Sequence, residues 1–484
     1  MLRGRLRIAL ALASALALSH CDSLNDAPGA VGPYAHQTGT PVAFDTLPRV
    51  ETVIVDSSRG PLFRTLRVLL DRAAGIQVDY WASGAPHLRV TTPVDTSGKR
   101  YVTDSVFLPR LRASTAYTYE VRTVEPDGAL GAPDSGTVTT GALPSGLAGY
   151  QFSVQGTPSF PLAMLELWGA SFNGWVIIDA TGQVVWYAPA CNALGSTRRA
   201  NGNFVLLDTC AGLREVTPDG RLVDSLPAGP YQMNHDVVAT PQNTLLFIAE
   251  ESRVLNDTSW TGNAIWEWNP ETGSVVKRWS TFDVLSPAVD RGPASSPGDW
   301  LHANSLAIGP RGNVVVSFLY TGQVISLSPD FTTVEWRLGG PNSTIAVDSG
   351  AQTYGQHTAA EVGPDTVLVF DNMTYDSTAA VHYSRGLEIA LDPVAHTAHK
   401  VWEFRPGPDI WAPYVGSDRP LPNGDRLVSF GLSAGTAGGS GPIAAYEVSA
   451  TGAVVWHLQV SGPLWNYRTT PLSSVGDEVE VPPR

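Results

Sequence analysis

Short runs of alternating apolar and polar residues fill the chain, and no long segment repeats with the period of a helix. Seven such runs, separated by turn-forming residues, lie between residues 43 and 143. This alternation is typical of strands that bury one face, so residues 43–143 are predicted to form a small β-sandwich.

From residue 150 onward the chain repeats one unit: an apolar strand, a turn that often carries Gly, and a second apolar strand that often ends in Trp. The six copies are Val176–Trp186, Leu213–Val223, Ile265–Trp279, Val324–Trp336, Leu387–Trp402 and Ala445–Trp456. Further apolar strands precede the copies, giving sets of about four strands, and a lone four-stranded blade leaves both faces wet unless blades stack around an axis. The chain is therefore predicted to be all-β, with a six-bladed β-propeller over residues 150–470 after the sandwich.

Two further predictions concern the end of the chain. The segment Leu464–Arg468 is expected to close the ring by pairing with early strands near Gln151–Val154. Residues 471–484 are assigned to a C-terminal tail.

Composition agrees with this organisation and excludes one class of partner. The 484 residues exceed one ordinary core, and a hydrophobic content of 43% is that of a globular protein. The 47 Gly and 37 Pro are spread along the chain, as tight turns between many short elements require. The net charge of −14 argues against nucleic acid, because a phosphate-binding surface needs an excess of Lys and Arg.

The first 21 residues have the layout of an export signal. Three arginines precede a short apolar core, Ile8–Leu18, which is too short to span a bilayer. The following Leu18–Cys21 resembles a bacterial lipobox, in which the Cys is acylated, although His20 replaces the usual small residue. Lipidation of Cys21, which would anchor the protein to a membrane, and an ordinary secretory signal both remain open. Either predicts an extracytoplasmic protein, periplasmic or in the cell envelope, and residues 22–42 read as a flexible tether.

Cys191 and Cys210 are the remaining cysteines if Cys21 carries lipid. An even pair in an oxidising compartment favours a disulfide, which would stabilise the fold by about 3 kcal/mol. Two separate buried thiols are the alternative.

Three of the ten histidines occupy the same place in the repeat. His235, His302 and His357 each precede an alternating strand, a polar turn and an apolar strand. Equivalent positions in successive blades lie at equal radius, so the three imidazoles converge on the central channel if this strand is the innermost one. One such histidine is more often a structural residue, but three at one repeat position favour a functional cluster over coincidence.

Segments around these histidines resemble the bacterial arylsulfotransferase family over residues 150–470. The more specific ones are Asp299–Ser305, which reads Asp-Trp-x-His-x-Asn-Ser, and Trp336–Gly340, which reads Trp-Arg-Leu-Gly-Gly. The others are Asn234–Asp236, Gln356-His357 with Phe370–Asn372 downstream, Ser384-Arg385 leading to Glu388, and Tyr467-Arg468. The stretch Leu108–Val121 resembles the late strands of fibronectin type III modules.

The arylsulfotransferase resemblance implies transfer of a sulfuryl group from one phenol to another, with no nucleotide sulfate donor and no cofactor. It assigns the nucleophile to His357, and it gives His235 and His302 the stabilisation or protonation of the leaving group. This chemistry suits imidazole, because a neutral ring can attack sulfur and hold the group as a transient sulfohistidine. An imidazolium can also protonate a departing phenoxide.

The expected partners are a small phenolic sulfate donor and a phenol acceptor, whose sulfate oxygens need cationic or N–H groups around them. Asn304, Arg337 and Arg385 lie within the resembling segments and are predicted to bind the substrate. A homodimer is one assembly we consider, although the sequence does not determine the oligomeric state.

The chain departs from the family at one important place. The family usually carries Ser-x-Arg-His after the second histidine, and the matching run here is Ser317–Tyr320, with Leu319 at the Arg position. Loss of that guanidinium should weaken sulfate-ester binding, unless Arg337, Arg385 or Arg468 replaces it.

Three functions remain open on the sequence alone. The first is an extracytoplasmic aryl-sulfate sulfotransferase, and the second is a ligand-binding or scaffold propeller of the same ancestry that has lost catalysis. The third is a metal site, because three neutral histidines can bind Zn²⁺. No His-x-His or His-Glu-x-x-His spacing supports the third, so no metal ligand is assigned.

Overall fold

The computed structural model describes residues 47–98, 104–432 and 438–481. The predicted signal peptide of residues 1–21, with Cys21, and the predicted tether of residues 22–42 lie outside the described residues. The described helical elements are α1 (Ser145–Ala148) and the 3₁₀ turn η1 (Thr281–Asp283). Neither has the length and apolar character that a helix needs to cross a bilayer.

The N-terminal part of the chain forms two sheets. Its strands are β1 (Val50–Asp56), β2 (Arg64–Leu70), β3 (Gly75–Ala82), β4 (Arg89–Thr91), β5 (Asp104–Leu108), β6 (Ala116–Val124) and β7 (Asp134–Thr139). One sheet has the order β1-β2-β5, and the other contains β4-β3-β6-β7. Alternate residues of both sheets, such as Leu66, Val68, Val78 and Val121, are buried in one shared core. The fibronectin type III likeness stays a prediction.

The remaining strands run from residue 151 to residue 481. They are β8 (Gln151–Gly156), β9 (Leu162–Gly169), β10 (Asn173–Asp179), β11 (Val184–Pro189), β12 (Ala193–Arg198), β13 (Phe204–Asp208), β14 (Gly212–Val216), β15 (Leu222–Pro227), β16 (Met233–Ala239), β17 (Leu245–Leu255), β18 (Thr258–Asn269), β19 (Ser274–Ser280), β20 (Ala303–Ile308), β21 (Val314–Phe318), β22 (Gln323–Leu327), β23 (Val334–Leu338), β24 (Ala346–Val347), β25 (Gln356–Gly363), β26 (Thr366–Asp371), β27 (Arg385–Asp392), β28 (Thr397–Phe404), β29 (Ser417–Pro420), β30 (Arg426–Phe430), β31 (Ile443–Val448), β32 (Val454–Ser461), β33 (Leu464–Leu472) and β34 (Val479–Val481).

All of these strands except β34 form six sheets, which we call blades 1 to 6. The strands of each blade are given from the innermost to the outermost. Their orders are β33-β9-β10-β11, β12-β13-β14-β15, β16-β17-β18-β19, β20-β21-β22-β23, β25-β26-β27-β28-β24 and β29-β30-β31-β32-β8. The first strands of neighbouring blades contact one another in a closed circle. The predicted all-β fold with a six-bladed propeller is therefore confirmed, and the repeated hairpins form the outer half of each blade.

The propeller is closed at two places. The terminal strand β33 becomes the inner strand of blade 1 by pairing with β9, with Leu464 opposite Gly169. The early strand β8 instead pairs with β32 as the outer strand of blade 6. The expected closure by the Leu464–Arg468 segment is confirmed, but its partner is β9 rather than the Gln151–Val154 segment, which lies at the outer edge of blade 6.

A hydrogen bond joins each blade to the next close to the axis. In five junctions an inner-strand side-chain oxygen accepts from a backbone N–H of the following inner strand: Thr197 from Ala239 (3.2 Å), Asp236 from Leu306 (2.8 Å), Ser305 from Ala359 (3.1 Å), Thr358 from Asp418 (3.1 Å) and Ser417 from Thr469 (3.2 Å). Between blades 1 and 2, the Ser196 hydroxyl donates to the Glu166 carboxylate at 2.8 Å. These bonds fix the inner strands relative to one another.

Tryptophans that end the repeated hairpins lie between blades. Trp279, Trp336 and Trp456 are buried in cores that combine residues of two adjacent blades. Their large rings fill the space between twisted sheets. The need to fill this space in each blade explains why Trp recurs at the end of the repeated hairpin.

Cys191 and Cys210 form a disulfide with an S–S distance of 2.05 Å. Cys191 lies just before β12 and Cys210 just after β13, so the bond ties the two inner strands of blade 2 together at one end. Both residues are exposed, unlike the pair of buried thiols considered as the alternative.

The C-terminal segment, assigned above to a tail, returns from the propeller to the sandwich. Strand β34 pairs with β4, adding an eighth strand to the sandwich. On the way, Arg198 of β12 donates to the Ser474 and Val475 carbonyl oxygens and to Asp477. We call residues 474–481 the C-terminal strap, because they bind both parts of the chain.

We expect Glu478→Ala to destabilise the sandwich by about 1–3 kcal/mol, because two N–H groups lose a buried acceptor. Glu478 accepts from the backbone N–H groups of Val475 and Gly476 and lies 3.8 Å from Arg110. Glu480 also pairs with Arg110 but is mostly exposed, so Glu480→Ala should cost less than about 1 kcal/mol. Differential scanning calorimetry compares the two variants, and equal effects would contradict the role of the strap.

Candidate functional site

Bulges interrupt the inner strands of blades 1 to 5 at one end of the channel, which we call the mouth. The residues in these bulges are Tyr467 and Arg468, Leu194 and Gly195, His235 and Asp236, Asn304, and Thr358 and Ala359. A bulge turns side chains away from the regular alternation and often adjoins a functional site. His235, His302 and Thr358 also have φ of 56°, 58° and 47°, a left-handed conformation that is uncommon for residues with a side chain.

The three predicted histidines lie together at the mouth. The ring centroids of His235 and His302 are 4.6 Å apart. The Tyr467 ring lies 5.9 Å from that of His235 and 6.3 Å from that of His357. The structure therefore brings residues of blades 3, 4 and 5 around a tyrosine of blade 1.

Asn372 fixes the orientation of His357. The Asn372 Nδ2 group donates to the carbonyl oxygens of Ala412 (2.7 Å) and Val415 (2.8 Å), so its Oδ1 faces the histidine. His357 Nδ1 lies 2.7 Å from that oxygen. Because an amide oxygen can only accept, Nδ1 carries the proton and Nε2 keeps its lone pair.

Asp299 holds His302 in the same way. The Asp299 carboxylate accepts from the His302 backbone N–H at 3.0 Å and lies 2.6 Å from His302 Nδ1. The spacing of three residues in a turn allows one Asp to make both contacts. An ionised carboxylate can only accept, so Nδ1 carries the proton and Nε2 is left to give or take a proton.

Tyr467 completes the set by holding His235. The Tyr467 hydroxyl lies 3.2 Å from the Asn304 carbonyl oxygen, to which it donates its one proton. The same hydroxyl lies 2.8 Å from His235 Nδ1 and therefore accepts the ring N–H. In all three histidines Nδ1 is held by an acceptor, and Nε2 has no hydrogen-bond partner within residues 47–98, 104–432 and 438–481.

Burial keeps two of the rings neutral. It lowers the pKa of His357 to about 3, and the positive charges of His302 and Arg468 act in the same direction. Burial also holds the pKa of His235 well below its usual range, with further contributions from His302, His357 and Arg468. A neutral ring with a free Nε2 is a nucleophile, whereas a protonated ring is not.

Arg468 is the guanidinium next to the histidines, although the site predictions did not include it. It is 2% exposed and donates to the Asp236 carboxylate (2.6 Å) and to the Asn304 carbonyl oxygen (2.7 Å). The motif Tyr467-Arg468 was visible in the sequence, but only the bulge in β33 explains why both side chains reach the axis.

The structure does not place Arg337 or Arg385 at the histidines as substrate ligands. Arg385 is buried. Its guanidinium donates to Asp371 (3.1 Å), to Glu403 (2.9 Å) and to two backbone carbonyl oxygens. Arg337 pairs with Asp290 at 2.5 Å. Both guanidinium groups pair with carboxylates of the protein, although Arg337 Nε has no partner among the described residues.

Asn304 lies in the inner strand of blade 4 and is fully buried. Its Nδ2 donates to the Gln356 carbonyl oxygen at 2.7 Å, while its Oδ1 is enclosed and has no partner among the described residues. It thus offers a substrate an acceptor rather than a donor. Leu319 is also buried, and its backbone N–H donates to the His302 carbonyl oxygen, so the position at which the resemblance implies an Arg adjoins the backbone of His302.

Three tyrosines form an aromatic wall beside His302. The Tyr320 ring stacks on His302 with centroids 4.6 Å apart, and Tyr375 meets Tyr320 edge to face at 6.3 Å. Burial raises the pKa of Tyr375, and Tyr414, which is 37% exposed, raises it further. We call these residues the tyrosine wall.

The histidines do not form a compact ligand set for a metal. Within the described parts of the chain, the one group of three candidate ligands whose atoms lie within 4.8 Å of one another is Cys191, Asp208 and Cys210. Its two cysteines are joined in the disulfide.

Comparisons with known proteins give weak structural likenesses. A protein of unknown function from Bacteroides caccae is 17% identical, with a TM-score of 0.43 over 64% of this chain and 99% of that one. An auxiliary nutrient binding protein from Bacteroides ovatus is 12% identical, with a TM-score of 0.37 over 90% and 92%. Virginiamycin B lyase from Staphylococcus aureus is 11% identical, with a TM-score of 0.31 over 72% and 92%. At such scores none of them carries an argument about function, and no curated protein matches the chain.

The family comparison, unlike those structural likenesses, identifies the family of the chain. The profile of the family described as Arylsulfotransferase (ASST) matches residues 162–468, a span that begins at β9 and ends at Arg468. That span covers well over half of the chain and includes all three histidines, Asn372 and Tyr467. The chain belongs to the arylsulfotransferase (ASST) family.

Proposed function

We propose that the protein transfers a sulfuryl group from a phenolic sulfate ester to a phenolic acceptor through a sulfohistidine at His357. One observation carries the proposal: three imidazoles meet at the mouth, each with Nδ1 held by an acceptor and Nε2 left free. Family membership supports an arylsulfotransferase-type enzyme in general. The roles of individual residues are the proposal's own.

In the first half-reaction, the Nε2 lone pair of His357 attacks sulfur. The N–S bond forms as the S–O bond to the aryl group breaks, and His302 gives its Nε2 proton to the departing phenoxide. The sulfated ring carries positive charge, which Asn372 Oδ1 stabilises through the Nδ1–H bond. Asp299 supports the proton donor by holding His302 Nδ1 at 2.6 Å, which leaves Nε2 to carry the proton that is transferred.

The second half-reaction reverses these roles. The acceptor phenol gives its proton to the now neutral His302, and its oxygen attacks sulfur. The N–S bond then breaks and returns the lone pair to His357 Nε2. His235 lies 4.6 Å from His302 by ring centroids, close enough for its Nε2 to bind the phenol oxygen that is leaving or entering.

The tyrosine wall suits aromatic substrates. A flat phenyl ring gains about 0.5–1.5 kcal/mol beyond area burial when it stacks offset or edge to face on another ring. Tyr320 and Tyr375 offer both surfaces beside His302.

The disulfide and the export signal together support an extracytoplasmic location. A surface disulfide persists in an oxidising compartment such as the periplasm. A donor that carries its own activated sulfate ester suits that setting. Lipid anchoring through Cys21 remains part of the proposal. Cys21 lies outside the residues that the structure describes.

A second candidate is a ligand-binding or scaffold propeller of the same family without catalysis. The observation that favours it is Leu319, together with the commitment of Arg337, Arg385 and the terminal nitrogens of Arg468 to protein acceptors. Such a protein would bind phenolic sulfates at the tyrosine wall without releasing the phenol.

We expect His357→Asn to lower nitrophenol release from 4-nitrophenyl sulfate by on the order of 10³-fold or more, because the nucleophile is lost. Release is measured with a phenol acceptor, and mass spectrometry after an alkaline quench looks for one sulfuryl group on the His357 peptide of the wild type. His399→Ala, an exposed histidine of β28, serves as control and should keep full activity. Turnover that survives in His357→Asn would contradict a sulfohistidine at His357. A wild-type protein that binds 4-nitrophenyl sulfate without releasing nitrophenol would establish the second candidate.

Asn372→Ala should lower kcat by about 10²-fold while KM changes little, because the ring of His357 loses its fixed tautomer rather than substrate contacts. Asn372→Asp keeps an acceptor for Nδ1 but loses the two donors to Ala412 and Val415. Comparison of the two variants by steady-state kinetics and circular dichroism separates ring positioning from loop stability. A rise in KM with an unchanged kcat would contradict the assignment.

The single-turnover rate of nitrophenol release should not fall as the pH is lowered from about 6.5 to about 5. The pKa of His357 is lowered to about 3, so the folded protein keeps the neutral ring where a free histidine would already be protonated. Rapid-mixing absorbance at several pH values measures this rate. An acid limb centred near the ordinary histidine pKa would show that the nucleophile is not the buried His357.

A further inference from the structure

A second group of charged side chains faces the axis next to the histidine cluster. Glu166 of β9 and Arg419 of β29 join the Arg468–Asp236 ion pair there, and all four groups influence one another electrostatically. They come from blades 1, 3 and 6, and Asp236 and Arg468 directly follow His235 and Tyr467 in the chain. The mechanism proposed above uses none of Glu166, Asp236 or Arg419.

Three enclosed polar atoms in this group have no partner among the described residues. They are Glu166 Oε2, Arg419 Nε and Arg468 Nε. Glu166 is 1% exposed and Arg468 is 2% exposed. An enclosed polar atom without a partner costs roughly 1–3 kcal/mol, and more when it is charged, so three of them together indicate a missing polar occupant.

Arg419 is the least satisfied of these residues. No hydrogen bond and no ion pair within 4.0 Å involves its guanidinium in the described structure. Arg419 as a whole residue is half-buried, and its Nε is enclosed. Burial lowers its pKa, as expected for a cation without a close counter-ion.

The carboxylates of the protein do not balance both guanidinium groups. Asp236 lies 2.6 Å from Arg468 and is already committed to it. Glu166 accepts from Ser196 at 2.8 Å and makes no ion pair with Arg419. Burial raises the pKa of Glu166 to about 7, so near neutral pH this carboxyl group is often uncharged and leaves one positive charge unbalanced.

We propose that the propeller axis binds a small inorganic anion between Arg419 and Arg468, and that ionised Glu166 competes with that anion. The bound anion accepts hydrogen bonds from the free Nε–H groups. Protonated Glu166 donates a third hydrogen bond through Oε2. When Glu166 ionises, its own charge replaces the anion. This site is distinct from sulfuryl transfer and would exist in a catalytically inactive member of the family.

The predicted consequence is a pH-dependent affinity for anions. Asp236, Arg419 and Arg468 are the charged groups that face Glu166, and Ser196 is its hydrogen-bond donor. Protonation of Glu166 is nearly complete at pH 6 and slight at pH 8.5. Sulfate should therefore bind roughly tenfold or more tightly at pH 6 than at pH 8.5.

The test is thermal unfolding of the full-length protein with sodium sulfate or sodium chloride, at constant ionic strength set by a bulky organic anion. We expect a saturable rise of Tm at pH 6 and a much weaker one at pH 8.5. Glu166→Gln should bind with the same high affinity at both pH values, and Arg419→Gln should lose the response. Arg278→Gln, which alters a surface pair with Glu267, should respond like the wild type.

The outcomes separate this site from the substrate site. Retention of the response in His357→Asn supports the axial site, whereas its loss there assigns sulfate to the histidines and overturns the proposal. The absence of a saturable response in the wild type at pH 6 would show that water fills the space, and would also overturn it. If Arg419→Gln fails to fold, Glu166→Gln tests the proposal instead. A rise of Tm with sulfate that is still weaker at pH 8.5 than at pH 6 in Glu166→Gln would contradict competition between Glu166 and the anion.

Discussion

Closure of the ring at its inner strands is the constraint on which the rest of the structure depends. Hydrogen bonds such as those from Leu306 to Asp236 and from Asp418 to Thr358 hold neighbouring inner strands in a fixed relation. Strand β33 supplies the last inner strand and brings Tyr467 to within 2.8 Å of His235, which lies 232 residues earlier. Without this closure His235 would lose its Nδ1 partner, and His235 and His357 would lose the tyrosine ring that lies near both.

The bulges convert a structural repeat into a site. A regular strand turns successive side chains to opposite faces, so a repeat alone would direct only alternate residues to the axis. The extra residues in β16 and β33 place His235 beside Asp236 and Tyr467 beside Arg468 at the same level. Supporting residues then decide the protonation of each ring, because the acceptor on Nδ1 determines that Nε2 is free.

Burial sets the electrostatics of the channel. It favours the neutral form of His357 and raises the pKa of Glu166. It also lowers the pKa of Arg419, which has no close counter-ion among the described residues. Removing ions from water is expensive unless partners compensate, so each axial charge acts on the protonation of its neighbours. The histidine cluster and the charged layer beside it are therefore one coupled system, linked through the Arg468–Asp236 ion pair.

Sequence patterns by themselves determined the all-β class, the six repeats and the shared repeat position of His235, His302 and His357, because alternation and repetition are local properties. They did not determine which early strand β33 pairs with, nor that the C terminus returns to the sandwich, because both depend on long-range closure. They also assigned substrate binding to Arg337 and Arg385, which the tertiary structure commits to Asp290, Asp371 and Glu403. Only the folded chain decides which cations are free and which are paired, because carboxylates distant in sequence compete for each guanidinium.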